Sequence, residues 1–285
     1  MIPVRDSLTL AHLKMSVLVN GVAMRFPEAM KAIRRFCQPA MFHSDAPVFD
    51  AGATGSAVFI RYRGNNFGLC TLHQFGSSGV VFPPEAFFLG LDGEEGRKVG
   101  LPPNEAIQIS FDHEGHQNLS DLYVARFDDT REGRNLRQHF LEIDFQATLQ
   151  TVPANRVKII VAIGFPTEEI EVNLKLDEDE IPIGYDMKLR WVRLVMERAS
   201  PNKIDTPNRL PLVIHSKQEN AISDPDGMSG APVFFVYVDS SLQVYLGFAG
   251  IITNSNGHRY MIYEADTIHL LFDRAIDSDL SSAHA

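Results

Sequence analysis

Three residue types needed for nucleophilic catalysis occur along this chain, and the serine has the most informative surroundings. It lies in Asp226-Gly227-Met228-Ser229-Gly230-Ala231-Pro232-Val233-Phe234, between two glycines and ahead of an apolar strand. Glycine lets the main chain bend sharply, so the backbone N–H groups of Gly227 and Ser229 can face one small space. Paired N–H groups of this kind stabilise the oxyanion of a tetrahedral intermediate. The segment predicts a serine nucleophile beside an oxyanion hole, and the alternative is a glycine-rich turn before a strand.

A base and an acid precede this serine in the sequence. Residues 55–60 and 67–72 predict two strands joined by a polar turn, and His73 follows the second strand directly. Asp121 stands at the head of another predicted strand, residues 122–127. A serine hydroxyl becomes nucleophilic when a histidine takes its proton, and a carboxylate holds that histidine in the required tautomer. We therefore expect His73, Asp121 and Ser229 to form a catalytic triad.

The order of these motifs resembles that of the chymotrypsin-like (trypsin-fold) serine peptidases, and in particular their bacterial intracellular and high-temperature-requirement members. Val161-Ala162-Ile163-Gly164-Phe165-Pro166 is similar to the strand end that opens the second barrel of the bacterial enzymes, and residues 247–255 are similar to the strand that lines the substrate cleft. Two positions depart from the family pattern. Cys70-Thr71-Leu72-His73 replaces the usual Thr-Ala-Ala-His, and Ala231 replaces the usual second glycine after the serine.

This resemblance implies an all-β fold of two antiparallel six-stranded β-barrels with a short N-terminal extension and a C-terminal helix. Short strands separated by polar turns, as barrels of this type require, agree with it. In the extension, Asn20-Gly21 predicts a hairpin, and Pro27 opens a short helix that runs through Phe36. The expected divisions are an N-terminal extension (1–50), a first barrel with His73 and Asp121 (51–145), a second barrel with Ser229 (146–275) and a flexible tail (276–285).

The resemblance also implies a serine endopeptidase that hydrolyses a protein or peptide substrate through an acyl-enzyme intermediate. Thr253, Asn254 and Ser255 would pair with the substrate as an added strand. Ser223, six residues before the nucleophile, would lie at the base of the primary specificity pocket. A serine there favours apolar side chains, whereas the neighbouring Asp224 and Asp226 favour a basic one, and the sequence does not decide between them.

Met228 bears on how such an enzyme would be activated. Many secreted relatives carry an aspartate immediately before the serine, and a freed N-terminus pairs with that aspartate to form the active site. Methionine offers no such partner, so we expect no activation by proteolytic trimming. Residues 1–50 are then expected to be a structural buttress or a docking surface for a protein partner.

Two other functional classes compete with the peptidase interpretation. A protease-fold binding module that has lost turnover stays open, because loop geometry is not visible in a sequence. An α/β-hydrolase is disfavoured, since Ala231 breaks the Gly-x-Ser-x-Gly motif and that fold places the serine before its acid and histidine.

The composition limits partners and compartment. The 285 residues include 26 Lys and Arg against 36 Asp and Glu, a net charge of −10, which disfavours nucleic acid as a partner. No apolar run reaches the length of a transmembrane helix, and the first 20 residues lack an uninterrupted apolar core, so we expect neither a membrane span nor a signal peptide. The chain has only two cysteines, Cys37 and Cys70, which favours a cytoplasmic protein with reduced thiols.

Three further features of the sequence have an ordinary structural interpretation. Asp112-His113-Glu114-Gly115-His116 contains metal-ligand residue types, but a solvated loop is favoured because no distant ligand set accompanies it, and we expect no metal and no cofactor. The acidic run Asp177-Glu178-Asp179-Glu180 predicts a solvated loop. Cys70, three residues before His73, is expected to face the core rather than the imidazole.

Overall fold

β-Strands make up most of the computed structural model, which describes residues 16–46, 48–76, 86–92, 98–107, 119, 121–131, 133–202, 205, 209–216, 222–255 and 259–282. Two helices accompany the strands in this part of the chain: α1 (Phe26–Arg34) and α2 (Ala265–Ser282). The strands are β1 (Ser16–Val19), β2 (Val22–Arg25), β3 (Cys37–His43), β4 (Ala51–Tyr62), β5 (Asn65–Thr71), β6 (Phe87–Asp92), β7 (Lys98–Leu101), β8 (Glu105–Ile107), β9 (Leu122–Phe127), β10 (Thr130–Arg131), β11 (Arg134–Asn135), β12 (Leu141–Glu142), β13 (Val157–Gly164), β14 (Ile170–Leu176), β15 (Pro182–Leu189), β16 (Val192–Arg198), β17 (Leu210–Ile214), β18 (Pro232–Val238), β19 (Val244–Ser255) and β20 (Arg259–Glu264).

The C-terminal half forms a closed barrel, as the family resemblance implies. Its six strands pair in the order β13-β16-β17-β20-β19-β18, and β18 returns to β13. Successive side chains of β13 pack into two different hydrophobic cores, because side chains alternate between the faces of a strand. Ile160 and Ala162 pack inside the barrel, whereas Val161 and Ile163 belong to the core that the barrel shares with α1, α2 and the N-terminal sheet.

The N-terminal half forms an open sheet, so the predicted six-stranded barrel at residues 51–145 is wrong. The strand order is β7-β6-β3-β4-β5-β9-β8, with β12 added in parallel to β4, and in the described residues no ladder joins β7 to β8. Pro102 and Pro103 separate these two strands, and proline has no N–H to continue a ladder. Only Pro102-Pro103-Asn104 connects the two edge strands, so the edges lie within about 14 Å of each other and the sheet curls into a half-barrel.

Part of the expected extension belongs to this sheet. The hairpin β1–β2 turns at Asn20-Gly21 and α1 follows it, both as predicted. β3 comes next and pairs with both β4 and β6, so the sheet begins before residue 51. Ala29, Ile33 and Phe36 are fully buried in the shared core, which makes residues 16–36 a structural part of the molecule.

The C-terminal helix joins the two halves. α2 follows the last barrel strand but contacts the N-terminal sheet: Phe272 stacks on Phe67 with ring centroids 4.3 Å apart, and the Tyr62 hydroxyl donates to Asp273 Oδ1 over 3.0 Å. Neither described helix is long and apolar enough to cross a membrane. The Asp112–His116 motif and the predicted strand at residues 80–82 lie outside the described residues, while residues 177–180 form the exposed turn that was predicted for them.

A buried arginine in β4 generates a testable prediction about stability. Arg61 is 7% exposed, and its guanidinium donates to Asn66 Oδ1 over 2.6 Å and to both carboxylate oxygens of Asp129. Hydrogen bonds from this guanidinium lower the pKa of Asp129 below its ordinary 3.8. Asp129→Asn should therefore cost about 1 kcal/mol in unfolding free energy at neutral pH, because the buried Arg61 loses its charged partner, and the 53% exposure of the Asp129 side chain lets solvent screen the pair.

The pH dependence follows from the sign of that shift. A carboxyl group with a lowered folded-state pKa stabilises the fold above its unfolded pKa, and this stabilisation is lost as the pH falls through the folded value. The difference between wild type and Asp129→Asn in urea unfolding should be full at pH 7 and should shrink below about pH 3.8. Asp179→Asn, in the exposed turn, is the control, and a pH-independent difference would contradict the prediction.

Candidate active site

Neighbouring strands of the N-terminal sheet bring the predicted base and acid together. β5 pairs with β9 so that Thr71 lies opposite Leu122. His73 follows Thr71 in a short 3₁₀ turn, and Asp121 precedes Leu122, so the two residues extend from the same end of the ladder. The Leu72 N–H donates to the carbonyl of Asp121 over 2.6 Å, which continues the pairing one residue further.

His73, Asp121 and Ser229 lie in one hydrogen-bonded row. His73 Nδ1 is 2.8 Å and 2.9 Å from the two carboxylate oxygens of Asp121. The backbone N–H of His73 also donates to Asp121 Oδ1 over 2.9 Å. A carboxylate only accepts, so Nδ1 carries the hydrogen and Nε2 presents its lone pair. Nε2 is 3.1 Å from Ser229 Oγ. This geometry allows the hydroxyl proton to pass to the imidazole.

The Ser229 hydroxyl has a second acceptor. Its Oγ is 3.0 Å from the carbonyl oxygen of Thr253, at the end of β19. A hydroxyl carries one hydrogen, so it donates either to Thr253 or to His73 at a given moment. Proton transfer to His73 therefore requires the hydroxyl to turn away from Thr253.

The peptide bonds before Gly227 and Ser229 have fixed orientations. The carbonyl of Asp226 accepts from the Thr167 N–H over 2.8 Å, and the carbonyl of Met228 accepts from the Ala231 N–H over 3.0 Å. The described chain has no cis peptide bond, and in a trans peptide the N–H points away from the carbonyl. The N–H groups of Gly227 and Ser229 thus point away from these contacts, and neither has an acceptor among the described residues. Both are available to receive an oxyanion.

These groups border a cleft of about 480 Å³. The residues lining it are Phe42, Ala53, Thr54, Gly55, His73, Gln74, Thr167, Asp226, Gly227 and Ser229. The cleft lies where the N-terminal sheet meets the serine loop, so a ligand in it contacts both halves of the molecule.

Ser56 and Gln74 attach the serine loop to the N-terminal sheet. The Ser56 N–H donates to the Ser229 carbonyl over 3.0 Å, and its hydroxyl donates to the Gly227 carbonyl over 2.9 Å while accepting from the Phe165 N–H. The Gln74 amide donates to the Ser229 carbonyl over 2.5 Å and to Thr71 Oγ1 over 2.9 Å. Ser56 is fully buried and Gln74 is 4% exposed, so these bonds are shielded from water. We call this set of contacts the seam.

Sequence reasoning did not identify Ser56, Gln74 or Thr167 as contributors to the site. Each stands beside a residue or motif that was identified: Ser56 follows Gly55 at the first predicted strand, Gln74 follows His73, and Thr167 follows Pro166. Their partners are distant in sequence, 171 residues away for Ser56 and 155 for Gln74. Local patterns give no signal for contacts of that range.

Close packing requires glycine at two positions of the serine loop. Gly227 has φ +85°, and a Cβ there would lie 2.6 Å from the Thr167 nitrogen and 2.7 Å from the Phe165 oxygen. Gly230 has φ +78°, and a Cβ there would lie 1.9 Å from the Ser56 carbonyl oxygen. Glycine is therefore required at both positions for two reasons: the left-handed turn and the close approach of neighbouring main-chain atoms.

The predicted substrate-binding residues lie at the edge of the site. Pairing of β19 with β18 stops at Ile251, whereas pairing with β20 continues to Ser255. Residues 253–255 therefore extend beyond β18 with one edge of the strand on the side of Ser229, to which Thr253 is bonded. This is the position from which a strand can be extended by a peptide.

Ser223 is exposed and is absent from the lining of the 480 Å³ cleft. Its N–H donates to Glu168 Oε1 over 3.0 Å, and its hydroxyl donates to Glu168 Oε2. These hydrogen bonds from Ser223 lower the pKa of Glu168, which is therefore ionised near neutral pH. A carboxylate thus lies directly against the residue predicted to form the base of the specificity pocket.

Cys70 is buried in the core of the N-terminal sheet, as predicted. Burial, with a smaller contribution from Asp121, raises the pKa of its thiol well above the ordinary value of 9.0. A thiol that stays protonated is a poor nucleophile, which disfavours a catalytic role for Cys70.

Comparison of the chain with protein-family models and with curated proteins finds no match.

The contact between Gly230 and Ser56 generates a prediction. Gly230→Ala should destabilise the protein by about 3 kcal/mol, through left-handed backbone strain and through overpacking against the Ser56 carbonyl. Gly64→Ala is the matched control, because Gly64 has φ +82° and a Cβ there would meet no atom within 4 Å, so only the strain applies. Thermal unfolding of both variants measures the difference. If Gly230→Ala and Gly64→Ala lost the same amount of thermal stability, close packing of Gly230 against Ser56 would be contradicted.

Proposed function

We propose that this protein is a serine endopeptidase. The observation that carries the proposal is the row of hydrogen bonds from Asp121 through His73 to Ser229, beside which the N–H groups of Gly227 and Ser229 meet no acceptor in the part of the chain that the structure describes. Such a row has a clear chemical use, since it activates a hydroxyl and stabilises the charge that its attack creates.

The proposed reaction follows from the positions of the atoms. Ser229 Oγ attacks the scissile carbonyl carbon while His73 Nε2 takes the hydroxyl proton, and Asp121 stabilises the imidazolium that forms. The carbonyl oxygen becomes an oxyanion and accepts from the Gly227 and Ser229 N–H groups. As the intermediate collapses, His73 gives its proton to the leaving amine, and an acyl-enzyme remains. A water molecule, deprotonated by His73, then hydrolyses the ester.

Residues Thr253, Asn254 and Ser255 are proposed to hold the acyl side of the substrate as an added strand. Ser223 is proposed to lie at the base of the pocket for the side chain before the scissile bond. The ionised Glu168 bonded to Ser223, with Asp224 and Asp226 in the same loop, favours a basic side chain there over an apolar one.

A reducing compartment such as the cytoplasm is proposed for this enzyme. Cys37 and Cys70 are both free and buried. A fold that depends on no disulfide suits a compartment in which thiols stay reduced.

Reaction of Ser229 with a fluorophosphonate probe tests the proposal directly. Wild-type protein should be labelled at this serine, and Ser229→Ala should lose labelling and lower kcat by about 10⁴–10⁶ without unfolding, since only a small, half-buried hydroxyl is removed. Ser241→Ala, at an exposed turn, is the matched control and should keep full labelling. Wild-type protein that is folded and unlabelled would instead favour the binding module without turnover.

Replacement of the acid tests the role of the carboxylate. Asp121→Asn should lower kcat about 10⁴-fold near neutral pH, because an amide can hold His73 in the tautomer that does not accept the serine proton. Asp128→Asn, at the other end of β9 and bonded to Asn104, is the control and should keep activity. Steady-state hydrolysis of a peptide library by both variants measures the effect, and greater damage from Asp128→Asn would show that the acid is assigned wrongly.

A further inference from the structure

The hairpin formed by β14 and β15 exposes an unusual amount of apolar surface. Five of the eleven exposed large hydrophobic side chains in the described chain belong to this hairpin and its turn, each 49–65% exposed. These five residues are Val172, Leu174, Leu176, Ile181 and Ile183. Clustered apolar exposure of this kind marks interaction sites more often than isolated exposed residues do.

The register of the hairpin places several of its apolar side chains on one face. Val172 lies opposite Met187 and Leu174 lies opposite Tyr185, and directly opposed residues of an antiparallel pair share a face. We call the face formed by Val172, Leu174, Tyr185 and Met187 the apolar face.

The other face of the hairpin is polar, and its side chains pair with one another. Glu171 lies opposite Lys188 and Asn173 lies opposite Asp186. Lys175 forms an ion pair with Asp186 over 2.7 Å. The apolar face is therefore the side of the hairpin that gains from a partner.

The apolar face lies close to the cleft, because Tyr185 contacts the strand that lines it. The Tyr185 hydroxyl accepts from the Ala51 N–H over 3.0 Å and donates to the Ala51 carbonyl. Ala53, two residues further along β4, lines the cleft. At its other end the hairpin begins at Ile170, three residues after Thr167, which also lines the cleft. A chain that leaves the cleft past Ala53 thus meets the apolar face.

The direction in which a substrate crosses the cleft determines which of its residues would lie on the apolar face. If residues 253–255 hold the acyl side of the substrate, the leaving-group side passes the opposite edge of Ser229, where Ala53 and Gly55 line the cleft. This step rests on the proposed peptidase function. We propose that the apolar face of the β14–β15 hairpin binds the residues that follow the scissile bond of an extended polypeptide substrate, and that it selects apolar side chains there.

The length of the hairpin and the charge of its turn favour an extended peptide as the ligand of the apolar face. The seven residues of β14 span about 23 Å, which matches roughly seven residues of extended peptide. The turn at the far end is Asp177-Glu178-Asp179-Glu180, so a substrate with basic residues beyond its apolar stretch gains electrostatic attraction. The same four acids repel an anionic lipid surface, and they repel each other when two copies bring their turns together.

Three substrates with one common acyl side test the inference. One peptide continues after the scissile bond with alternating leucines, the second has serines at those positions, and a p-nitroanilide has no residue beyond the bond. Wild-type protein should cleave the leucine peptide with a kcat/KM about 10-fold above that of the serine peptide, the size expected for contacts in an apolar site.

Two variants at adjacent positions separate the faces of the hairpin. Leu174→Lys alters the apolar face and should abolish the preference while leaving p-nitroanilide hydrolysis unchanged. Asn173→Lys introduces the same residue on the polar face and should keep the preference. An unchanged preference in Leu174→Lys would overturn the inference, whatever the rate of hydrolysis.

A binding measurement separates failure of the inference from failure of the proposed function. If the p-nitroanilide is not hydrolysed and Ser229 is not labelled, the proposed function fails. Fluorescence anisotropy with Ser229→Ala protein should still show tighter binding of the leucine peptide than of the serine peptide, and Leu174→Lys should remove the difference. Equal binding of the two peptides would refute the inference. So would a concentration-dependent dimer in sedimentation, or binding to phosphatidylcholine vesicles, that Leu174→Lys abolishes.

Discussion

The arrangement of the site depends on the seam, where main-chain carbonyls of the serine loop accept hydrogen bonds from Ser56 and Gln74. His73 and Asp121 belong to the N-terminal sheet, while Ser229 belongs to the barrel, so no single ladder fixes the distance between imidazole and hydroxyl. The Ser229 carbonyl accepts from both Ser56 and Gln74 in a region that excludes water. Leaving such buried groups without partners costs about 1–3 kcal/mol each, which makes alternative positions of the loop unfavourable.

Other main-chain contacts of the serine loop orient the groups that would stabilise negative charge. Main-chain bonds to Thr167 and Ala231 turn two carbonyls into the protein, and planarity of the peptide then directs the N–H groups of Gly227 and Ser229 the other way. The protein's own hydrogen bonds set this orientation, and donors fixed in this way need no reorganisation when charge develops. It also explains why Gly227 and Gly230 occur together, since each allows main chain to approach main chain more closely than a Cβ permits.

The sequence predicts local features well and long-range closure poorly. The hairpin at Asn20-Gly21 and the strands around His73 follow from residue patterns that act over a few positions, whereas the closed barrel that carries Ser229 is implied by the family resemblance. The N-terminal sheet stays open because no ladder joins its described edge strands β7 and β8, and such long-range pairing leaves no local pattern in the sequence. The seam depends on pairs of residues more than 150 positions apart, Ser56 with Gly227 and Gln74 with Ser229. The motif residues could be named in advance, whereas the residues that hold them could not.

The seam and the β14–β15 hairpin differ in how much substitution they tolerate. The seam is buried and intolerant of added volume, as the 1.9 Å approach at Gly230 illustrates. The hairpin belongs to neither main sheet, and Tyr185 attaches it to the main chain of Ala51 rather than to a side chain of the site. Replacing an exposed residue such as Leu174 therefore changes the surface beside the cleft without altering a distance within the row of Asp121, His73 and Ser229. A surface proposed to bind substrate can therefore vary while the row stays fixed, because Tyr185 contacts Phe49, Asp50 and Ala51 rather than a residue of the row.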